Sequence, residues 1–253
     1  MTKVQNEIIK INGIDMYFEV HGEGKPLIIL HGFTGSGAGL AELFKTLLPA
    51  YQLIIPDLRG HGKSTNPNLT KQFLFKESAQ DVYALLDYLK IDNCSGIGFS
   101  GGALTLLHMA YAQPERINSM AIVSAAPYFP QSTRDFMKLV TIEDKTEEEW
   151  NAMREIHFHG DEQIKMLWQQ AHDFSKNQDD MNFTPEMLSQ IKTKTLIIQG
   201  DRDPIYPIEL AIELFKNIKN SYLWILPNSG HGPITTILTP ELISKFKELE
   251  SFR

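Results

Sequence analysis

Six short, almost wholly apolar runs recur along this chain, each ending at a polar or glycine-bearing turn. They are Leu27–His31, Leu53–Pro56, Ile97–Phe99, Met120–Val123, Thr195–Ile198 and Tyr222–Leu226. Runs this short, without strict alternation, suit strands covered on both faces. Helical patterns lie between them. Lys76–Leu89 carries Val82, Leu85, Leu86 and Leu89 on one stripe, and Ala103–Ala112 is stopped near Pro114. Leu40–Leu48, Ile208–Ile218 and Leu238–Leu249 read as helices too. Strands alternating with helices imply an α/β fold, a mostly parallel sheet with helices on both faces. Glu7–Ile11 and Met16–Val20 flank Asn12-Gly13, a hairpin signal that adds two antiparallel strands at one edge. The expected sheet therefore has eight strands.

One region breaks the rhythm. From about 127 to 190 no strand is evident, and polar amphipathic stretches with Trp150 and Trp168 take over. The segment leaves from the end of the Met120–Val123 strand, and in such sheets ligands bind at the carboxyl ends of the strands. It is expected to be a helical cap over the site, inserted into a single domain spanning 1–253. Its aromatics, with their neighbours Tyr128, Phe129, Phe136 and Phe158, suit an apolar pocket.

The chain has 253 residues, enough for one large domain and short for two. A net charge of −7 argues against a nucleic-acid partner, which needs a basic face. The single cysteine, Cys94, lies in a buried strand pattern and reads as a small core residue, with a thiol nucleophile as the lesser alternative. Met1 to Lys10 lacks the charged start and apolar run of a secretory signal. No apolar run approaches the roughly 20 residues that span a bilayer. A cytoplasmic location without membrane attachment is the expectation, and oligomeric state is not legible.

Chemistry concentrates in the turns. Gly98-Phe99-Ser100-Gly101-Gly102 fits Gly-x-Ser-x-Gly between an apolar strand and a helix, the setting of a nucleophile elbow. A serine on such a turn occupies strained backbone, and the residues two before and two after it come close enough to require glycine. The Gly101 N–H then opens a helix, where partial positive charge favours an oxyanion. A serine hydroxyl needs a base. His231, in the glycine-rich loop Asn228–Gly232 after the last strand, is placed to serve. An orienting carboxylate should come from Gly200-Asp201-Arg202-Asp203-Pro204, where two aspartates compete. Pro204 holds Asp203 extended, whereas Asp201 can cap the turn or pair with Arg202.

A second oxyanion donor is expected in the loop His31–Gly37, and the Phe33 N–H is assigned to it, with His31 as a hydrogen-bonding support. Asp57–Ser64 reads as a tight structural loop, and His61 within it is discounted as a base. His157 and His159 flank Phe158 in the insertion and lack a third ligand at metal-binding spacing.

These motifs resemble those of the α/β-hydrolase superfamily. His31-Gly32-Phe33 is similar to its oxyanion loop, Asp57–Ser64 to its Asp-x-Arg-Gly-x-Gly-x-Ser loop and Gly98–Gly102 to its elbow. Gly200–Asp203 is similar to its acid turn, and Gly230-His231 to its histidine loop. The resemblance covers essentially the whole chain. It implies a Ser100–Asp203–His231 triad, with the second aspartate of the turn as the acid, and a helical cap. Serine at the elbow separates the chain from epoxide hydrolases and haloalkane dehalogenases, which use aspartate there. One departure stands out, since the residue after the nucleophile is often larger in this family than Gly101. The expected activity is a serine hydrolase cleaving a small-molecule carboxylic ester through an acyl-enzyme, with no cofactor or metal. Carbon–carbon bond hydrolysis, perhydrolysis or acyl transfer can use the same residues, and a slow-turnover ligand receptor is the rival of a different class.

Overall fold

A computed structural model describes residues 4–67, 72–233 and 239–251. Of the expected elements, the start of the last helix at Leu238 and the first three residues of the N-terminal stretch fall outside them.

Strands β1 (Val4–Ile11) and β2 (Ile14–His21) pair antiparallel, in register from Val4↔His21 to Ile11↔Ile14. Their turn holds Asn12 at φ 45° and Gly13 at φ 78°, the two left-handed residues that suit a tight hairpin. Strands β3 (Lys25–Leu30), β4 (Tyr51–Pro56), β5 (Cys94–Phe99), β6 (Ile117–Val123), β7 (Lys194–Gly200) and β8 (Ser221–Leu226) follow. The sheet order is β1-β2-β4-β3-β5-β6-β7-β8. β2 pairs antiparallel with β4, and every pair from β4 to β8 is parallel. The fold is the α/β-hydrolase fold, with the hairpin as its antiparallel edge.

The apolar runs are apolar throughout because alternate residues feed two cores. Ile28, Leu30, Ile54, Met120 and Ile122 belong to one cluster, and Leu27, Ile29, Leu53, Ala121 and Val123 to the other. The first cluster is closed by α2 (Phe75–Tyr88), α3 (Gly101–Ala112) and α8 (Ile208–Asn217). The second is closed by α9 (Thr239–Ser251) and by the stretch around α1 (Leu40–Leu43). The Leu40–Leu48 pattern does not make one helix. It makes α1 and then a separate tight turn at Lys45–Leu47. The break at Phe44 puts both Phe44 and Leu47 fully into the core, three residues apart on one side.

Between β6 and β7 the chain forms α4 (Gln131–Met137), α5 (Glu147–Ile156), α6 (Asp161–Asp173) and α7 (Pro185–Gln190). α5 opens on a capping box. Thr146 Oγ1 accepts the Glu149 N–H at 3.2 Å, and the Glu149 carboxylate accepts the Thr146 N–H at 2.8 Å. Directional bonds tie this segment to the body. The Asp180 carboxylate accepts the first N–H groups of α2, from Phe75 at 2.5 Å and Lys76 at 3.2 Å. Gln163 donates to the carbonyls of Gly60 and Gly62, both at 3.0 Å. Among the described residues no helix is long and apolar enough to cross a membrane.

Candidate active site

Ser100 stands between β5 and α3 with φ 47° and ψ −113°, a conformation that costs a non-glycine residue about 1–3 kcal/mol. The surroundings impose it. Its N–H donates to the Val123 carbonyl at 2.8 Å, across to the neighbouring strand. A Cβ at position 98 would lie 2.6 Å from the Gly102 carbonyl oxygen, and one at position 102 would lie 2.4 Å from that of Leu30. Both positions therefore require glycine, as the motif anticipates.

The strand-end loops bring the expected partners to this serine. His231 Nε2 lies 2.9 Å from Ser100 Oγ, and His231 Nδ1 lies 2.8 Å from Asp203 Oδ2. With Asp203 ionised, Nδ1 carries the proton and Nε2 is free to accept the serine's. Burial alone would raise the Asp203 carboxyl. The bond to His231, with the N–H groups of Tyr206 and Ile205 at 3.0 and 2.8 Å on Oδ1, outweighs it and holds the group below its ordinary value. Gln199 also donates to Oδ2 at 2.9 Å. The rival aspartate, Asp201, accepts the Ser229 N–H at 3.2 Å and so braces the histidine's loop.

The Phe33 nitrogen lies close to Gly101, the residue that follows the serine. A Cβ built at position 101 would sit only 2.9 Å from the Phe33 nitrogen. Among the described residues neither the Phe33 nor the Gly101 N–H is taken by an internal acceptor, which leaves both for a ligand oxygen. The Asp57 carboxylate steadies this loop by accepting N–H bonds from Gly37 at 2.7 Å and Lys63 at 2.8 Å.

Three other histidines serve the backbone. His31 Nε2 accepts the Leu58 N–H at 3.0 Å, and its Nδ1 donates to the Gly32 carbonyl at 2.8 Å. His61 Nε2 accepts the Thr34 N–H at 3.1 Å, and its Nδ1 donates to the Arg59 carbonyl at 2.9 Å. His157 reaches in from the end of α5. Its Nδ1 accepts the Gly62 N–H at 2.8 Å, and its Nε2 donates to the Thr34 carbonyl at 3.0 Å. Burial lowers all three, His61 well below its ordinary value, so each stays neutral in the fold. His159 instead meets the Lys63 carbonyl. Cys94 is fully buried in β5, and burial pushes its thiol up to about 12, so it packs and does not react.

A cavity of about 300 Å³ opens onto Ser100 and His231, lined largely by apolar groups from the α4–α6 segment and the Phe33 loop. The aromatic residues singled out in the sequence divide. Phe136 and Trp168 line the cavity. Trp150 packs edge-on behind Trp168, ring centres 4.6 Å apart, and Phe129 is buried behind Tyr206. Tyr128 hydrogen-bonds Glu213 at 2.9 Å, and Phe158 is 58% exposed. The residues missed were Tyr206, Phe174 and Phe75. Only Tyr206 left a signal, an aromatic three positions after Asp203 within the acid turn. A larger cavity of about 670 Å³ lies beside the β1–β2 turn and α6, apart from the serine.

The sequence profile of the alpha/beta hydrolase fold matches residues 25–149. The mouse serine hydrolase BPHL is 27% identical over 238 residues, covering 91% of this chain and 81% of that protein. A 2-hydroxy-6-oxo-6-(2'-aminophenyl)hexa-2,4-dienoic acid hydrolase of Metapseudomonas resinovorans is 22% identical over 249 residues, covering 88% and 83%. The solved structure of a mutant meta-cleavage product hydrolase from Pseudomonas fluorescens superposes with a TM-score of 0.72 at 19% identity, covering 96% of each chain, and thereby shares the fold. The strand order, the serine on its strained turn and these likenesses lead to one conclusion: the chain has the α/β-hydrolase fold and resembles members of that superfamily.

Proposed function

We propose that this protein is a serine hydrolase that cleaves small carboxylic esters with an apolar acyl or alcohol group. The observation that carries the reading is the hydrogen-bonded line Ser100–His231–Asp203 at the floor of an apolar cavity. Ser100 Oγ attacks the ester carbonyl carbon while His231 Nε2 takes the serine proton. Asp203 keeps the imidazole in the right tautomer and stabilises the imidazolium. Negative charge on the former carbonyl oxygen falls to the Phe33 and Gly101 N–H groups, each worth about 3–4 kcal/mol in comparable sites. The intermediate collapses, the alcohol leaves with the proton from His231, and water repeats the sequence to release the acid. The α4–α7 segment acts as the cap that excludes water and shapes the pocket.

The relative from Metapseudomonas resinovorans is named as the hydrolase of a dienoic acid. A carboxylate needs a cation, and the charged side chain lining this cavity is Lys145, already paired with Glu149 at 2.9 Å. That favours a neutral ester. The test is labelling with a fluorophosphonate probe, followed by a panel of nitrophenyl esters of rising chain length beside a vinylogous diketone acid. Labelled native protein, unlabelled Ser100→Ala and turnover of the esters are expected. Folded native protein that resists the probe would defeat the reading. Turnover confined to the diketone acid would move the activity to carbon–carbon cleavage.

A further inference from the structure

The apolar run of β7 ends in one fully buried amide, Gln199, directly before the acid turn. Its Nε2 donates to Asp203 Oδ2 at 2.9 Å and to the Tyr206 carbonyl at 2.9 Å. Oδ2 is also the oxygen that His231 Nδ1 reaches at 2.8 Å. Both neighbours of Nε2 are acceptors, so the reverse amide orientation would set an oxygen against two oxygens. The orientation leaves Oε1 without a hydrogen-bond partner among the described residues. A buried, unpaired carbonyl oxygen costs stability. That cost is accepted at the one place where the two amide protons meet Asp203 and the turn that carries it.

We propose that Gln199 is a positioning residue, which holds the Asp203 carboxylate turned toward His231 through every stage of the proton transfer. The proposal rests on the serine-hydrolase reading and assigns a further residue to it. A carboxylate turns about a broad, soft torsion, so bonds on one oxygen alone do not fix the other. The Ile205 and Tyr206 N–H groups hold Oδ1 at 2.8 and 3.0 Å. Gln199 holds Oδ2, and the same amide ties down the Tyr206 carbonyl at the far end of the turn. His231 is the moving member of this set, because its ring takes a proton from Ser100 and gives it up to the leaving alcohol. When the imidazole shifts, Oδ2 keeps a donor and the carboxylate keeps its direction. Without Gln199 the buried Oδ2 would depend on His231, and each shift of the ring would free the carboxylate to turn. The other titratable groups around the pair are engaged elsewhere. The Tyr206 ring packs edge-on against His231, with centres 5.2 Å apart. Asp201 accepts the Ser229 N–H and faces Arg202 at 4.0 Å, and Lys145 of the cavity lining pairs with Glu149.

The experiment compares the wild type with Gln199→Met and Gln199→Glu on p-nitrophenyl acetate over a series of pH values, with thermal unfolding of each protein. Gln199→Met keeps the length and bulk of the side chain and removes both donors. A small misplacement of a catalytic group costs up to about 100-fold, so kcat should fall about ten- to a hundred-fold. KM should stay within about twofold, because Gln199 is buried behind Asp203 and outside the cavity lining. The downfield proton resonance of the His231 Nδ1–H, which reports the bond to Asp203, should shift or broaden. In Gln199→Glu a neutral carboxyl donates to Oδ2 as the amide does, whereas an ionised one faces Asp203 as a like charge. Its kcat should therefore approach that of the wild type at the acid end, and the ratio of the two should fall as pH rises. That ratio is read within one variant and does not depend on the folding of Gln199→Met. Folded Gln199→Met with kcat within about twofold of the wild type overturns the proposal. A fall in kcat that leaves the His231 resonance unchanged overturns it too, as does a Gln199→Glu ratio that is flat with pH. A wild type that neither takes the fluorophosphonate label nor turns over esters would defeat the serine-hydrolase reading itself, and this proposal with it.

Discussion

The sheet and the α4–α7 segment are held in place by different balances of apolar burial and directional bonds. The sheet, knit by its own backbone ladders, is clamped between two apolar clusters. The inserted segment has its own small apolar cluster around Met153, Ile164 and Trp168, joins the first core through Phe129, Met137, Phe174, Phe183 and Leu188, and adds side-chain bonds to the body. His157 holds Thr34 and Gly62, Gln163 holds Gly60 and Gly62, and Asp180 holds the start of α2. Apolar burial tolerates many substitutions of similar volume, whereas a buried hydrogen bond is lost with one atom. The polar part of the segment's seat is therefore the part that a single substitution can loosen.

The strongest break of this comparison is chemical. Ser100→Ala should abolish ester turnover, by about 10⁶-fold in kcat on the scale of nucleophile removal in other serine hydrolases. Its urea unfolding should match the wild type, because the hydroxyl contributes nothing to either core. A large loss of stability would show that the scaffold leans on its site. Gly101→Ala comes next. The added Cβ would crowd the Phe33 nitrogen at 2.9 Å, with Phe33 Cβ and the Phe75 ring at 3.2 Å. Displacing one oxyanion donor should lower kcat about 10²-fold while KM changes little. Unaltered kcat would remove Phe33 from the oxyanion hole.

His157→Ala tests the polar seat. It strips a partner from the Gly62 N–H and another from the Thr34 carbonyl, and should destabilise the protein by about 2–4 kcal/mol. KM should rise by more than kcat falls, since the segment moves and the nucleophile does not. The same residue sets a pH dependence. His31, His61 and His157 have folded-state values below 6.5, so the unfolded chain binds more protons than the native one once pH drops beneath that value. Their contribution is fully present above pH 6.5 and is lost as pH falls. The slope approaches about 1.4 kcal/mol per pH unit for each histidine still neutral in the fold. Urea titrations at a series of pH values should show that slope, smaller by about one proton in His157→Ala. A slope the variant leaves unchanged would mean that His157 titrates normally. The smallest effect is expected at Thr146→Ala, which removes half of the α5 capping box and should cost about 1 kcal/mol. Hydrogen exchange should report it in α5 and spare β5. An effect spread evenly over the sheet would blur the distinction between the two regions.

Much of this was legible in the chain. Six of the eight strands follow from runs such as Leu27–His31, because a strand covered on both faces has no polar position to spare, and two follow from the Asn12-Gly13 hairpin. Gly98 and Gly102 announced the elbow because the close approach there is local. Helix bounds were less legible. Leu40–Leu48 carries helical spacing, yet burying both Phe44 and Leu47 required a tighter turn. The aromatics were legible only as a group. Trp150 and Trp168 look alike in sequence, and packing decides that one faces the cavity and the other backs it.

The sequence by itself determined the order of strands and helices and the loops in which a serine, an acid and a histidine stand. Periodicity, glycine placement and turn chemistry act over a few residues, so they can be read along the chain. Only the tertiary structure decided that Asp203 meets His231 while Asp201 braces the loop, and that His231 reaches Ser100 from 131 residues away. It also decided that the Tyr206 ring packs against His231 and lines the cavity. Such contacts depend on where separate strand ends come together, and no local pattern records that.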